Sequence, residues 1–224
     1  MKIKVVHCLF EQSGTFRDVF RNKGYEAYCY DIENKFNETD YQIDLFNEIE
    51  KGYLKEKSIF DNMNENDLIF AFFPCTWFSV QNDLIWSRTS YNFKTWNEKK
   101  IDEYIAKRER EREYVYNLLL KFIKIIKRKK IKTVIENPYT NNYLLTQKEI
   151  KQPNIIIMNR RDLSDHYIKP TMFYFYNLKP TYFANHTIVK KHDLKTVSKT
   201  HGIDRSLISP EFAYNFINKY VLGK

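Results

Sequence analysis

The residues best suited to chemistry in this chain sit where apolar runs stop abruptly. Asp67 to Phe73 (DLIFAFF) is a continuous apolar run that ends at Pro74-Cys75. A cysteine just beyond a buried strand can act as a nucleophile if a cation, a helix N-terminus or a base favours its thiolate; the alternative is an inert core thiol. Lys132 to Ile135 ends at Glu136-Asn137-Pro138. A carboxylate there is costly to bury unless it has a partner or chemical work, and a capping or salt-bridging glutamate is the other reading. Leu9-Phe10 leads into Glu11-Gln12-Ser13-Gly14-Thr15, a turn with one glycine that opens a helix, and Asp31-Ile32 closes the next strand. The glycine lets backbone N–H groups approach a ligand, and the strand-end acid can accept both hydroxyls of a ribose. Together they point to a nucleoside-containing cofactor, although turn glycines and strand-end acids are common in α/β proteins. No GxGxxG or GxxxxGK(S/T) pattern is present, which disfavours a pyrophosphate or triphosphate cradle. Asp44, in YQIDLF, is a candidate for the base end of the same ligand. Arg160-Arg161, after a further strand, can hold acids or phosphate in a site, or form a plain surface pair.

These residues need elements to position them. Lys2 to Phe10 reads as a strand, and Phe16, Val19 and Phe20 recur at helical spacing up to Gly24, which ends the helix. Glu26 to Tyr30 reads as a second strand, so the first thirty or so residues have the size of a βαβ unit. Residues 58–63 read as a short helix or loop, and Asp67 to Phe73 as a strand buried on both faces. Residues 76–97, with Trp77, Trp86 and Trp96, lack periodicity and form a long excursion. A helix is expected from about Asn97 to Lys130, with Val115, Leu118, Leu119, Phe122, Ile125 and Ile126 as its apolar stripe. Strands follow at 132–135, 155–158 and 173–176. A last helix spans Pro210 to Tyr220, with Ser209 as its N-cap and Pro210 at its first position. Strands alternating with helices imply a parallel-rich sheet, whose ligands bind beyond the carboxyl ends of the strands. Gly14, Asp31, Cys75 and Glu136 all fall there.

Composition bounds the rest. The chain has 224 residues, the size of one domain, and 43% hydrophobic residues, enough for a packed core. Five glycines exclude collagen-like and linker-rich designs. Three cysteines, Cys8, Cys29 and Cys75, without CxxC spacing argue against a disulfide framework; Cys8 and Cys29 read as core. The five histidines have no ligand spacing, so no metal is expected. No signal peptide and no membrane span are expected, and a reducing cytoplasm fits. The net charge of +9 favours a polyanionic partner. The seven bases and no acids of residues 121–132 can equally complement the end of a helix. Arg88 and Lys94 among the aromatics of the excursion, with Trp77, suit a nucleic-acid base, or the aromatics form a lid on the core. Lys190 and Lys191 open a second basic stretch that can touch phosphate.

In order, LF..SGTF, DIE, FPC and ENP resemble the C5-cytosine DNA methyltransferases, and more closely the short, phage-type DNA-methylase-like proteins. The stretches IKPTMFYF (168–175) and RSLISPEFAYNFI (205–217) extend the resemblance over nearly the whole chain. It implies a single domain, residues 1–224, with the α/β Rossmann-like class I methyltransferase fold: a mostly parallel central sheet flanked by helices. It implies S-adenosyl-L-methionine as cofactor, DNA or a cytosine nucleotide as substrate, and a bacterial host cytoplasm as setting. Carried over by position, Cys75 would attack C6 of cytosine, Glu136 would hold N3 and the exocyclic amine, and Arg160 or Arg161 would be the family's site arginines. Phe10, Ser13, Gly14, Thr15, Asp31, Ile32, Asp44 and Pro74 would line the cofactor. The glycine motif is reduced to Gly14, and the residues between Thr171 and Arg205 are too few for a large target-recognition domain. A catalytically silent nucleic-acid or nucleotide binding protein on the same fold is the reading from another class.

Overall fold

A computed structural model of the chain describes residues 3–79, 87–88, 90–139, 142–183 and 207–223. Its centre is a seven-stranded sheet: β1 (Val5–Leu9), β2 (Glu26–Asp31), β3 (Tyr41–Gln42), β4 (Leu68–Ala71), β5 (Lys132–Pro138), β6 (Ile155–Ile157) and β7 (Thr171–Tyr176). The strand order is β3-β2-β1-β4-β5-β7-β6. The pairs from β3 across to β5 are parallel, whereas β7 runs antiparallel to both β5 and β6. The chain moves outward from β1 to β3, then returns to place β4 on the other side of β1. The strand order therefore reverses between β1 and β4, which is where open parallel sheets leave a crevice at their carboxyl ends.

Period-two alternation along the strands separates two cores. Val6, Cys8, Leu68 and Phe70 face the layer of helices α1 (Thr15–Asn22) and α4 (Pro210–Phe216), meeting Phe16, Phe20, Phe212 and Phe216. Leu9, Ile69 and Ala71 face α2 (Leu45–Leu54) and α3 (Glu98–Lys129), meeting Ile49, Leu118, Phe122 and Ile126. The protein is thus α/β, with helices on both faces of a mostly parallel sheet. No helix among the described residues is long and apolar enough to cross a membrane.

Two expectations need correction. The Glu136-Asn137-Pro138 tripeptide does not follow β5 but is its end, because Glu136, Asn137 and Pro138 pair with Phe173, Met172 and Thr171 of β7. Residues 45–54, for which the sequence suggested no element, form α2. Its buried positions are Leu45, Glu48, Ile49 and Gly52, so a charge and a glycine interrupt the apolar stripe. Glu48 is acceptable there because its carboxylate accepts the Ile59 N–H at 2.7 Å and pairs with Lys51.

Helix α3 reaches well past the sheet. At about 1.5 Å per residue its 32 residues span about 48 Å, against about 23 Å for β5. Of its buried residues only Ile101 precedes Val115. The half from Val115 onward packs on the sheet and feeds directly into β5. The half over 98–114 extends beyond the carboxyl edge of the strands.

Phe173 stacks on Phe216 at 3.9 Å between centroids, joining β7 to α4. Phe173→Ala is expected to cost about 3–5 kcal/mol of stability through the cavity it leaves. A urea melt of the variant checks this.

Candidate functional site

A cavity of about 610 Å³ opens at the carboxyl ends of β1, β2, β4 and β5. This is the usual size for a small-molecule or cofactor site. Of the residues singled out from the sequence, Phe10, Ser13, Asp31, Ile32, Asp44, Pro74, Cys75, Trp77, Glu136 and Arg160 line it. Gly14, Thr15, Arg161, Arg88 and Lys94 do not, and Lys190 and Lys191 lie outside the described residues.

The β1 end is shaped by strain and by a buried acid. Phe10 takes a left-handed backbone (φ 60°), which turns the chain out of the strand, and its ring packs edge-on against Phe73. Glu11 is buried, and its carboxylate accepts the Phe16 N–H at 2.7 Å and the Cys29 thiol at 3.3 Å. It therefore occupies the N-terminal end of α1, where a phosphate would otherwise be favoured. Burial raises its pKa. Cys8, Cys29 and Glu11 bring potential ligand atoms within 4.8 Å of one another, a trio hidden in the sequence because Cys8 and Cys29 meet only through strand register. Burial pushes the Cys8 thiol up; for Cys29 a hydrogen bond with Cys8 lowers it, and burial with the Glu11 charge carries the net upward.

Gly14 serves the turn from behind the lining. Its φ of 70° is a left-handed conformation, and a Cβ there would lie 2.5 Å from the Arg17 guanidinium. That guanidinium is held by Asp18, Glu38 and Asp40. Ser13 and Thr15 share a hydroxyl contact at 3.0 Å.

Asp31 is buried at the end of β2, accepts the Glu33 N–H at 2.8 Å, and has its pKa raised by burial. Ile32 beside it is 59% exposed, an apolar surface at the cavity wall. Asp44 also caps α2, accepting the N–H groups of Phe46 and Asn47.

On the β4–β5 side, Phe73 is buried among Phe10, Phe78 and Phe122 and anchors the segment. Pro74 then turns the chain, and Cys75 opens a short 3-10 turn, Cys75–Trp77. The Asn137 side-chain amide donates to the Phe73 carbonyl at 2.9 Å, and Asn142 donates to Asn137 at 2.8 Å. Asn137 therefore ties the strand end that carries Glu136 to the one that carries Cys75. Glu136 is 8% exposed and has no hydrogen bond or ion pair among the described residues. Burial raises its pKa, against the opposing fields of Lys169 and Arg160. Burial also raises that of Cys75. Arg160 is 0% exposed; it pairs with buried Asp165 while its Nε and Nη1 find no partner.

Lys169 lines the same cavity and was not among the residues singled out from the sequence. Only the reversed strand β7 begins at the edge where the parallel strands end, so a residue just before β7 reaches the site. Tyr139 N–H to Pro170 carbonyl, at 3.0 Å, fixes that approach. The signal was the lysine in IKPT, but a search of strand carboxyl ends passes over it.

The charge of α3 is divided. Residues 98–114 carry six bases and six acids, whereas 121–132 carry seven bases and no acid. The bases of the second group sit on the packed half, toward the edge opposite the cavity. Lys121 pairs with Glu50, Arg128 donates to the Gly52 carbonyl, and Lys124 and Lys127 lie over tyrosine rings. On the projecting half Arg108 lies 4.1 Å over the Trp77 ring, which brings this arm to the cavity wall. Arg88 pairs with Glu98 and Asp102, and Lys94 lies over Tyr91.

Two outcomes follow. A carboxyl group whose folded pKa is raised binds more protons folded than unfolded above pH 4.5, so its contribution is fully present below that pH and declines as pH rises. Glu136→Gln is therefore expected to raise the melting temperature by a few degrees above pH 7 and to converge with the native chain below pH 4.5. Asn137→Ala strands the Phe73 carbonyl and is expected to cost about 1–3 kcal/mol in a urea melt. No protein-family model matches the chain, and no curated protein matches it.

Proposed function

We propose that this protein transfers a methyl group from S-adenosyl-L-methionine to C5 of cytosine in DNA, on a Rossmann-like class I methyltransferase fold. The observation that carries the reading is one cavity lined by Phe10, Asp31, Cys75 and Glu136, residues from four separate strand ends, in the order the family resemblance requires. The seven-stranded sheet with helices on both faces is of the expected kind.

The residues suit this cofactor. Asp31 is a buried acid for ribose hydroxyls, and exposed Ile32 offers an apolar face to a base. Glu11, Asp31, Glu33 and Asp44 make the β1–β2 side acidic, which favours a cationic ligand. Glu11 at the start of α1 disfavours phosphate there, and S-adenosylmethionine has none. When bound, it supplies the methyl group from a sulfonium and leaves as the neutral thioether.

The chain's own groups supply the rest. The Cys75 thiolate forms a bond to C6 of the ring, which makes C5 nucleophilic. Glu136, whose raised pKa favours the protonated acid, donates that proton toward N3 and accepts from the exocyclic amine. After C5 has taken the methyl group, loss of its proton to solvent, cleavage of the S–C6 bond and return of the N3 proton to Glu136 restore the aromatic ring, the thiolate and the acid. The base must leave the duplex to reach Cys75 inside a cavity.

A second reading, the same chemistry on a free cytosine nucleotide, is favoured by the charge on α3. Its arm beside the cavity has no net charge, and its basic run faces away from the site.

Labelled S-adenosylmethionine with duplex DNA, single-stranded DNA and dCMP tests both. Transfer to cytosine C5 of DNA is expected, Cys75→Ser reduces it to background, and 5-fluorocytosine DNA traps the native protein covalently. Transfer to dCMP alone selects the second reading. Cofactor binding by calorimetry without transfer to any substrate would sink both.

A further inference from the structure

Cys75 stands in a site whose own features oppose the form in which a cysteine attacks. It is half-buried next to a buried carboxyl group, and burial is the largest influence raising its pKa, with Glu136 adding to it. A thiol in such a place needs a helix N-terminus, a base or a cation to ionise. The helical turn that Cys75 opens is three residues long, too short to carry a useful dipole. No histidine among the described residues lines the cavity.

Among the described residues the cations of the cavity are three. Lys35 belongs to the β2 side and pairs with Glu33. Arg160 is fully buried and paired with Asp165. Lys169 has no ion pair or hydrogen bond among the described residues, is half-buried at the mouth of β7, and is in electrostatic range of both Cys75 and Glu136. The other charged groups lining the cavity are Glu11, Asp31 and Asp44, all on the β1–β2 side.

We propose that Lys169 is the positioning residue that holds Cys75 as a thiolate. The proposal rests on the reading of Cys75 as the attacking atom. Lys169 lines one cavity with Cys75 and Glu136, and the thiolate is the form the chemistry requires. The reversed strand explains its origin: parallel strands deliver the nucleophile and the acid, and the antiparallel one delivers the cation.

The test needs no methyl transfer. The rate of Cys75 alkylation by iodoacetamide is followed against pH, with the Cys75 peptide resolved by mass spectrometry; Cys8 and Cys29 are buried. Lys169→Met and Lys169→Gln are each expected to raise the midpoint by about one pH unit or more. Lys169→Arg, which keeps the charge, is expected to stay near the native midpoint. The proposal is overturned if the neutral variants titrate with the native chain, or if Lys169→Arg shifts as far as they do. Folding is checked by circular dichroism, and either neutral variant suffices. A failed alkylation result leaves the methyltransferase reading standing, and absent methyl transfer leaves the alkylation result standing.

Discussion

The hydrogen bond from the Asn137 side chain to the Phe73 carbonyl is the contact on which the site depends. β4 cannot extend its ladder past Pro74, which has no N–H to give. β5 runs on to Pro138 because β7 continues to pair with it. The gap between the two strand ends separates Cys75 from Glu136. Asn137 closes it with one amide, and Asn142 holds Asn137 from behind. Phe73 below is locked by aromatic packing, so the fixed point is the core itself.

Charge around the cavity follows the same topology. The parallel strands β1 and β2 bring acids, and the reversed strand and the turn after β6 bring cations. Arg160 and Asp165 form a buried pair that neither could leave without stranding the other's charge. Two buried carboxyl groups, Glu11 and Glu136, are kept at a cost in stability. For Glu11 the return is structural, since it caps α1 and takes the Cys29 thiol. Glu136 has no such hydrogen bond among the described residues, and on the proposed function its return is chemical.

Much of this was legible in the residues. Abrupt ends of apolar runs located Cys75 and Glu136, and the glycine turn and strand-end acid located Phe10, Ser13 and Asp31. Helix α3 and the Ser209 cap of α4 were readable because their periodicity and capping residues are undisturbed. Helix α2 was hidden by Glu48 and Gly52 on its buried face. Lys169 was hidden because strand direction is not written in a strand's own residues. Gly14 was recognised for its left-handed conformation, and the structure adds that the Arg17 guanidinium lies against it. The surplus of bases on α3 was visible, but not that they stitch the helix to α2 and point away from the cavity.

On the proposed function, one cavity holds the cofactor with its ribose at Asp31 and its reactive end toward Cys75. The most direct measurement is a crystal structure of the protein grown with S-adenosylmethionine. The account predicts ligand density inside the cavity, with the ribose hydroxyls on the Asp31 carboxylate and the sulfonium facing Cys75. Ligand bound elsewhere, or a cavity that stays free of it at saturating concentration, would contradict the account.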